Sequence, residues 1–293
     1  GCDSIASLNL VIYNTSSSIS STSCNSYSLN GYIVDSTGTY IYPDDFINYS
    51  TQIGNTILGT SNNDNSGKVI DLSKDGNIVA IGSPFDDDFL FNSGSVKVFE
   101  YSGQDWLQKG SSIHGSSEDE EFGSSIALSY DGQVLAIGSM NSDLNGTNSG
   151  EVRVYLWNNN DYVLMGSIIG GNTVNEKFGS SVSLSENGLR LAVGSKNNSS
   201  NGLNSGQLKM YEWDGFNWTQ MGSEINGQNN LDRFGFSVSL SSDGSIVASG
   251  AIYNDDGGAN SGHVRVFNWD GTNWNQIGNN INGESADDQS GYS

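Results

Sequence analysis

Residues 178–233 read FGSSVSLSENGLRLAVGSKNNSSNGLNSGQLKMYEWDGFNWTQMGSEINGQNNLDR, and how these 56 residues are read decides the fold. The same unit recurs without insertion or deletion at 66–121, 122–177 and 234–289. Two fragments flank the four copies. TQIGNTILGTSNNDN at 51–65 aligns with TQMGSEINGQNNLDR at 219–233, and SGYS at 290–293 starts a further unit. Each copy holds four strand-like runs. The first alternates with period two (Val182, Leu184) and closes at Asp75-Gly76, Asp131-Gly132, Asn187-Gly188 or Asp243-Gly244. Such pairs supply the positive φ angles of a two-residue hairpin turn. The second run, LAVGS at 191–195, is small and apolar, as a strand covered on both faces requires. The third follows an Asn-Ser-Gly and points Val152, Val154 and Leu156 one way, Arg153 and Tyr155 the other. After a second turn (Asp214-Gly215, Asp270-Gly271), the fourth run carries Trp106, Tyr162, Trp218 or Trp274.

Four antiparallel strands recurring every 56 residues predict an all-β chain, a β-propeller of four-stranded blades. A single blade cannot cover both of its apolar faces, so it needs a neighbour on each side. Composition agrees: 38 Gly, 2 Pro and 35% hydrophobic residues suit many short strands joined by polar turns. Thirty-three acids against eleven bases give a net charge of −22, which repels nucleic acid and anionic membrane alike. No apolar run approaches the roughly 18 residues of a membrane span, so no membrane insertion is expected. Without a leader or an initiating Met, the chain reads as a mature product or an excerpt. Cys2 and Cys24 are its two cysteines. A disulfide between them would stabilise the fold by about 3 kcal/mol on chain-entropy grounds and suit an extracellular setting. Two separate thiols are the alternative.

The repeat resembles the FG-GAP family, whose relatives include the integrin α-chain propellers, and is closer to its bacterial and algal branch. The shared pattern is FG-S-V-x-L-S-x-D-G-x-x-L-A-[IV]-G-S followed by N-S-G-x-V-x-V-[FY], and it covers residues 51–293. The resemblance implies that Phe and Gly open the innermost strand. It also implies that Gly82-Ser83-Pro84, Gly138-Ser139-Met140, Gly194-Ser195-Lys196 and Gly250-Ala251-Ile252 end the second. Residues 1–50 differ. GCDSIASLNLVIYN (1–14) and CNSYSLNGYIVDSTGTYIY (24–42) resemble Cys-containing, β-sandwich-like repeats of Bacteroidetes surface proteins, with Leu29 where Trp is usual. That resemblance implies O-glycosylation at Ser4 and Ser36. Asn-x-Ser/Thr sequons stand at Asn14, Asn48, Asn145, Asn197, Asn198 and Asn217.

No catalytic motif appears. His114 reads as a loop residue and His263 as the start of a third strand, and P-loop, dinucleotide and HExxH patterns are missing. The expectation is therefore not an enzyme, with no cofactor required. Integrin-type blades hold calcium in a loop between the first two strands, but a two-residue turn cannot wrap an ion. The remaining calcium candidates lie between strands two and three (85–92, 141–148, 197–204, 253–260): Asp87, Asp143, Asn145, Asp255 and Asp256. One acidic position survives in every copy, two residues before the opening phrase: Asp64, Glu120, Glu176, Asp232 and Asp288. It reads either as a ring of carboxylates near the channel or as an acceptor for backbone N–H groups at the blade crossing. The functional expectation is an extracellular or cell-surface adhesion and recognition propeller, part of a larger secreted protein and facing a protein or glycan partner. The alternatives are a self-assembling fibre or layer protomer and a carbohydrate-binding propeller.

Overall fold

The computed structural model describes residues 52–293, together with the backbone of four strands within the first 34 residues. By contacts the chain divides into two units, Gly1–Gln52 and Ile53–Ser293. In the small unit, β1 (Ile5–Ile12) pairs antiparallel with β2 (Thr15–Thr22), and β3 (Tyr27–Leu29) with β4 (Tyr32–Val34). Cys2, Ser4, Asn14, Cys24, Ser36 and Asn48 lie outside the described residues.

The large unit holds four sheets, one per repeat, in a β-propeller arrangement. The first contains β5 (Val69–Leu72), β6 (Ile78–Ser83), β7 (Ser95–Tyr101), β8 (Trp106–Gln108) and β9 (Ile113–His114). The second contains β10 (Ser125–Leu128), β11 (Val134–Ser139), β12 (Glu151–Trp157), β13 (Tyr162–Leu164) and β14 (Ile169–Gly170). The third runs β15 (Phe178–Leu184), β16 (Arg190–Ser195), β17 (Gln207–Trp213), β18 (Trp218–Gln220) and β19 (Ile225–Asn226). The fourth runs β20 (Phe234–Leu240), β21 (Ile246–Ala251), β22 (His263–Trp269), β23 (Trp274–Gln276) and β24 (Ile281–Asn282).

Two details differ from expectation. The fourth run is split: β8 pairs with the C-terminal half of β7 and β9 with its N-terminal half. Gly110, Gly166, Gly222 and Gly278 break the edge strand at φ between 67° and 79°, so His114 lies in a short strand rather than a loop. The first hairpin is also longer than two residues. Ser73 N–H donates to Ile78 O and only Gly76 takes a positive φ, while the Asp75 carboxylate accepts from Ser73 Oγ and Asn77 N. The side chain braces a wider turn.

Cores form between blades. One cluster joins Ile78, Val96 and Val98 of the first blade to Phe122, Ile126, Leu135 and Tyr155 of the second. The other two clusters repeat this relation across the next pairs. Odd positions of β12, such as Arg153 and Tyr155, face the preceding blade, and Val152 and Val154 face the following one. The recurrent indoles serve the same junctions: Trp218 Nε1 donates to Met165 O at 3.0 Å and Trp274 Nε1 to Met221 O at 3.1 Å. Trp106 makes the equivalent bond to Ile53 O, so residues after 52 stand where a preceding blade's edge would.

The Phe-Gly phrase is the seam. Phe122, Phe178 and Phe234 are fully buried, and each bridges the Gly of the previous blade's Asn-Ser-Gly (Gly94, Gly150, Gly206). The following glycines sit at φ of 79–87°, and their carbonyls abut the second-strand glycine of the preceding blade. At Gly82 a Cβ would stand 2.5 Å from Gly123 O. Ser125 and Ser181, the last residues of the phrase, donate at 2.8 Å to the carbonyls of Gly179 and Gly235 in the next blade.

Candidate functional site

The loops between second and third strands emerge together at one end of the blades, and all four share one frame. Asn92, Asn148, Asn204 and Asn260 take φ of 45–52°. Each has its N–H bonded to a side chain five residues earlier: Asp87, Asp143, Ser199 or Asp255. Each carbonyl receives an N–H from the crossing segment, from Glu121, Lys177, Arg233 and Gln289. Asn accepts the left-handed backbone because its short side chain costs little there. On this frame the exposed side chains differ widely: Phe89 and Phe91 in the first loop, Leu144 in the second, Leu203 in the third, Asp255 and Asp256 in the fourth.

The calcium candidates are used by that frame. Asp87, Asp143 and Asp255 accept backbone N–H groups at 2.6–2.8 Å. Asn145 donates Nδ2 to Gly171 O, and Asp256 Oδ2 lies 3.8 Å from His263 Nδ1. Among the described residues no three His, Cys, Asp or Glu side chains converge as a metal would need.

The recurrent acids are not an exposed ring. Asp64, Glu120, Glu176 and Asp232 are no more than 2% exposed. Each accepts N–H bonds from the loop just before it, as Glu120 does from Ser116 and Ser117 at 2.7 and 2.9 Å. Asp288 makes the same bond, from Ser285, and is exposed. Of the two readings of this position, the geometry matches the acceptor of backbone N–H groups at the blade crossing and not the carboxylate ring. Glu120 and Glu176 also have a cationic partner on a third strand. The third strands carry Lys97, Arg153, Lys209 and Arg265 at the 56-residue spacing, a signal as regular as the acids themselves. Arg153 bonds Glu120 at 2.7 Å and Glu151 at 2.5 Å, and Lys209 lies 3.6 Å from Glu176. Arg265 instead donates to Gln276 and Asn226 O, and Lys97 to Thr60.

His263 occupies the fourth-blade position held by Ser95, Glu151 and Gln207 in the others. It is 1% exposed, and neither ring nitrogen has a hydrogen-bond partner. Burial pushes its pKa down, Asp232 and Asp256 oppose this, and Arg265 adds to it. In the unfolded chain the ring takes a proton near pH 6.5. The folded state therefore binds fewer protons, and the stability present above that pH is lost as pH falls below it. His263→Gln, the third-blade residue, is expected to flatten melting temperature against pH between about 7 and 5. Identical pH profiles for both proteins would count against this role. His114 is half-buried with an unpartnered Nδ1 and packs 6.1 Å from the Phe89 ring.

Among the sequons, Asn217 lies in an exposed turn and accepts from Ser167 and Trp218 N–H groups. Asn145 is exposed with its amide nitrogen bonded, and Asn197 is partly buried. Asn198 is corrected: it is 3% exposed and its Nδ2 donates to Gln207, so no glycan can be attached there in the folded chain. At the far end of the axis the first-hairpin turns form a cleft of about 450 Å³ lined by Tyr130, Asp131, Glu186, Asn187, Ser242 and Asp243. Backbone bonds tie these turns in sequence, Lys74 N to Tyr130 O, Tyr130 N to Glu186 O and Glu186 N to Ser242 O.

Residues 226–267 match the family model described as FG-GAP repeat. A search of curated proteins gave no match. Among solved structures, the periplasmic gluconolactonase of Pseudomonas aeruginosa aligns over 77% of this chain with a TM-score of 0.51 and 14% identity. The chain spans 59% of that structure's length. The β-propeller domain of the Trilobed protease from Pyrococcus furiosus aligns over 69% of this chain and 54% of its own, with a TM-score of 0.43 and 10% identity. At such identities the likeness concerns the fold alone.

Proposed function

We propose that this FG-GAP-repeat propeller is a non-enzymatic recognition module of an extracellular or cell-surface protein, binding a protein or glycan through the face of its second-to-third-strand loops. One observation carries the reading: four loops with the same backbone braces present four different sets of exposed side chains. A rigid frame with variable side chains is the arrangement by which scaffolds present binding loops. No catalytic constellation is needed for this role, and none is placed by it.

The test is binding of labelled protein to a glycan array and to immobilised extracellular-matrix proteins, beside the Phe89→Ser/Phe91→Ser variant. The expected result is binding that this variant loses by tenfold or more at unchanged melting temperature. Absence of binding on every surface, or equal binding by the variant, would overturn the proposal. Turnover of gluconolactone by the purified chain would overturn its non-enzymatic part.

A second reading, self-assembly into a fibre or layer, is favoured by the two outer blades. Ile70 and Leu72 on the first, and Ile281 and Tyr292 at the other edge, are 52–65% exposed, although their counterparts at inner junctions are covered. Light scattering across protein concentrations tests it, and a constant monomer mass would exclude it.

A further inference from the structure

We propose that the loop-side mouth of the propeller axis binds the carboxylate or sulfate group of an acidic sugar, held by Lys68, Lys177, Lys196 and Arg233. The inference rests on the recognition reading above and names the ligand chemistry of that face.

Placement comes from the strand pairing. Lys177 and Arg233 immediately precede β15 and β20, and Lys68 precedes β5, so all three stand where innermost strands begin. Lys196 follows Ser195, which pairs with Phe178, and is therefore across the hairpin from Lys177. Lys177 and Arg233 share a left-handed backbone, φ 57°, with Asn65, Glu121 and Gln289 at the same repeat position. Long side chains rarely take that conformation, and at Glu121, Lys177, Arg233 and Gln289 an N–H bond to the Asn of the neighbouring loop holds it.

In a chain with three acids per base, these four cations have no ion pair with a carboxylate among the described residues. Lys177 Nζ is bound only by amide oxygens of Asn141 and Asn148. The other three lie over aromatic rings: Lys68 over Phe85 at 4.7 Å, Lys196 over Phe236 at 5.5 Å, Arg233 over Tyr253 at 4.9 Å. Repeat symmetry would set Arg233 against Asn197 as Lys177 is set against Asn141. Instead Arg233 turns to Tyr253, and Asn197 Oδ1 is buried without a partner. The Arg233 guanidinium thus keeps its fork of N–H donors uncommitted, and that fork matches the geometry of an oxyanion.

The cations also feel one another. Burial pushes the Lys196 pKa down, and the charges of Arg233, Lys177 and Lys68 push it further, opposed by Glu121. Glu121 and Asp143 act likewise on Lys177, whose pKa burial lowers. Like charges crowded in a half-buried mouth destabilise the empty site, and a bound anion relieves them. Sugar is favoured as the carrier because the Phe236 and Tyr292 rings stand 5.1 Å apart at the same mouth, with Tyr292 62% exposed. An exposed aromatic face beside a charge suits a pyranose ring bearing an acidic substituent.

The experiment is thermal melting of the full chain in sodium sulfate and in sodium glucuronate against sodium chloride at equal ionic strength. Alongside it, calorimetric titration uses an oligogalacturonate and its neutral methyl ester. Both anions are expected to raise the wild-type melting temperature. Lys196→Gln and Arg233→Gln should abolish that rise and weaken oligogalacturonate binding tenfold or more. Because each removes repulsion, each should also melt no lower than wild type in dilute chloride, whereas a merely structural cation would melt lower. Absence of an anion-specific shift, or an undiminished shift in both variants, overturns the site. Binding of poly-glutamate with none of oligogalacturonate overturns the sugar assignment. Phe89→Ser/Phe91→Ser should keep the anion shift, so loss of surface binding with the shift intact points to the loops and not to the mouth.

Discussion

Arg153→Met is expected to lower the unfolding free energy by about 3–5 kcal/mol, because it strands two buried carboxylates. Arg153, Glu120 and Glu151 are 8%, 1% and 3% exposed at their side chains. The guanidinium bonds both acids, donates to Ser116 Oγ at 2.8 Å and lies 5.1 Å over the Phe122 ring. Without it, Glu120 keeps its two backbone N–H donors and Glu151 keeps only Ser142 Oγ, at 2.7 Å. Methionine fills the volume but carries no charge, so both acids must take up protons or stay ionised at a cost. The third blade shows a gentler version of this junction, with Gln207 in place of Glu151 and Lys209 in place of Arg153. Glu151→Gln alone should therefore be tolerated within about 1 kcal/mol. Adding Glu120→Gln and Glu151→Gln to Arg153→Met should recover most of the loss. Urea denaturation of the four proteins decides it, and a triple variant no more stable than the single one would refute the stranded-charge account.

Gly206→Ala is expected to cost about 3–4 kcal/mol, combining left-handed backbone strain with a collision at the blade seam. Gly206 sits at φ 84°, and a Cβ there would overlap the backbone N and carbonyl of Phe234 in the next blade. The overlap cannot be relieved by a rotamer change, because both obstacles are backbone. Shifting either one breaks the bonds from Phe234 N to Ser205 O and from Gly227 N to Gly206 O, at 2.9 and 2.8 Å. Gly215→Ala is the control: its φ is 101° but nothing lies within 4 Å of the added Cβ. It should lose about 1–2 kcal/mol, the backbone strain alone. Equal losses at both positions, measured by denaturant unfolding, would show that the seam is not the source of the cost.

Much of the scaffold was legible because repetition inside one chain filters positions by their physical task. The Phe of the opening phrase, the turn glycines and the Asn before Ser-Gly recur because each blade poses the same packing and backbone problem. The cations at Lys97, Arg153, Lys209 and Arg265 are equally legible at that spacing, but only Arg153 and Lys209 pair with the recurrent acids, a difference that spacing does not show. The split edge strand was harder to read. Its cause is one positive-φ glycine per copy in a run that otherwise alternates normally.

The site was less legible, for a physical reason. Lys68, Lys177, Lys196 and Arg233 do not occupy one repeat position: they fall just before some first strands and just after one second strand. A linear comparison of copies aligns Lys177 with Arg233 but leaves Lys68 and Lys196 unrelated to them. Period, hairpin order and seam chemistry are local or translational properties, and the sequence determined them by itself. Convergence on an axis is a rotational property. It took the packing of successive blades about a common axis to set these scattered cations near one another and to bury Asp64, Glu120, Glu176 and Asp232 at the blade crossings.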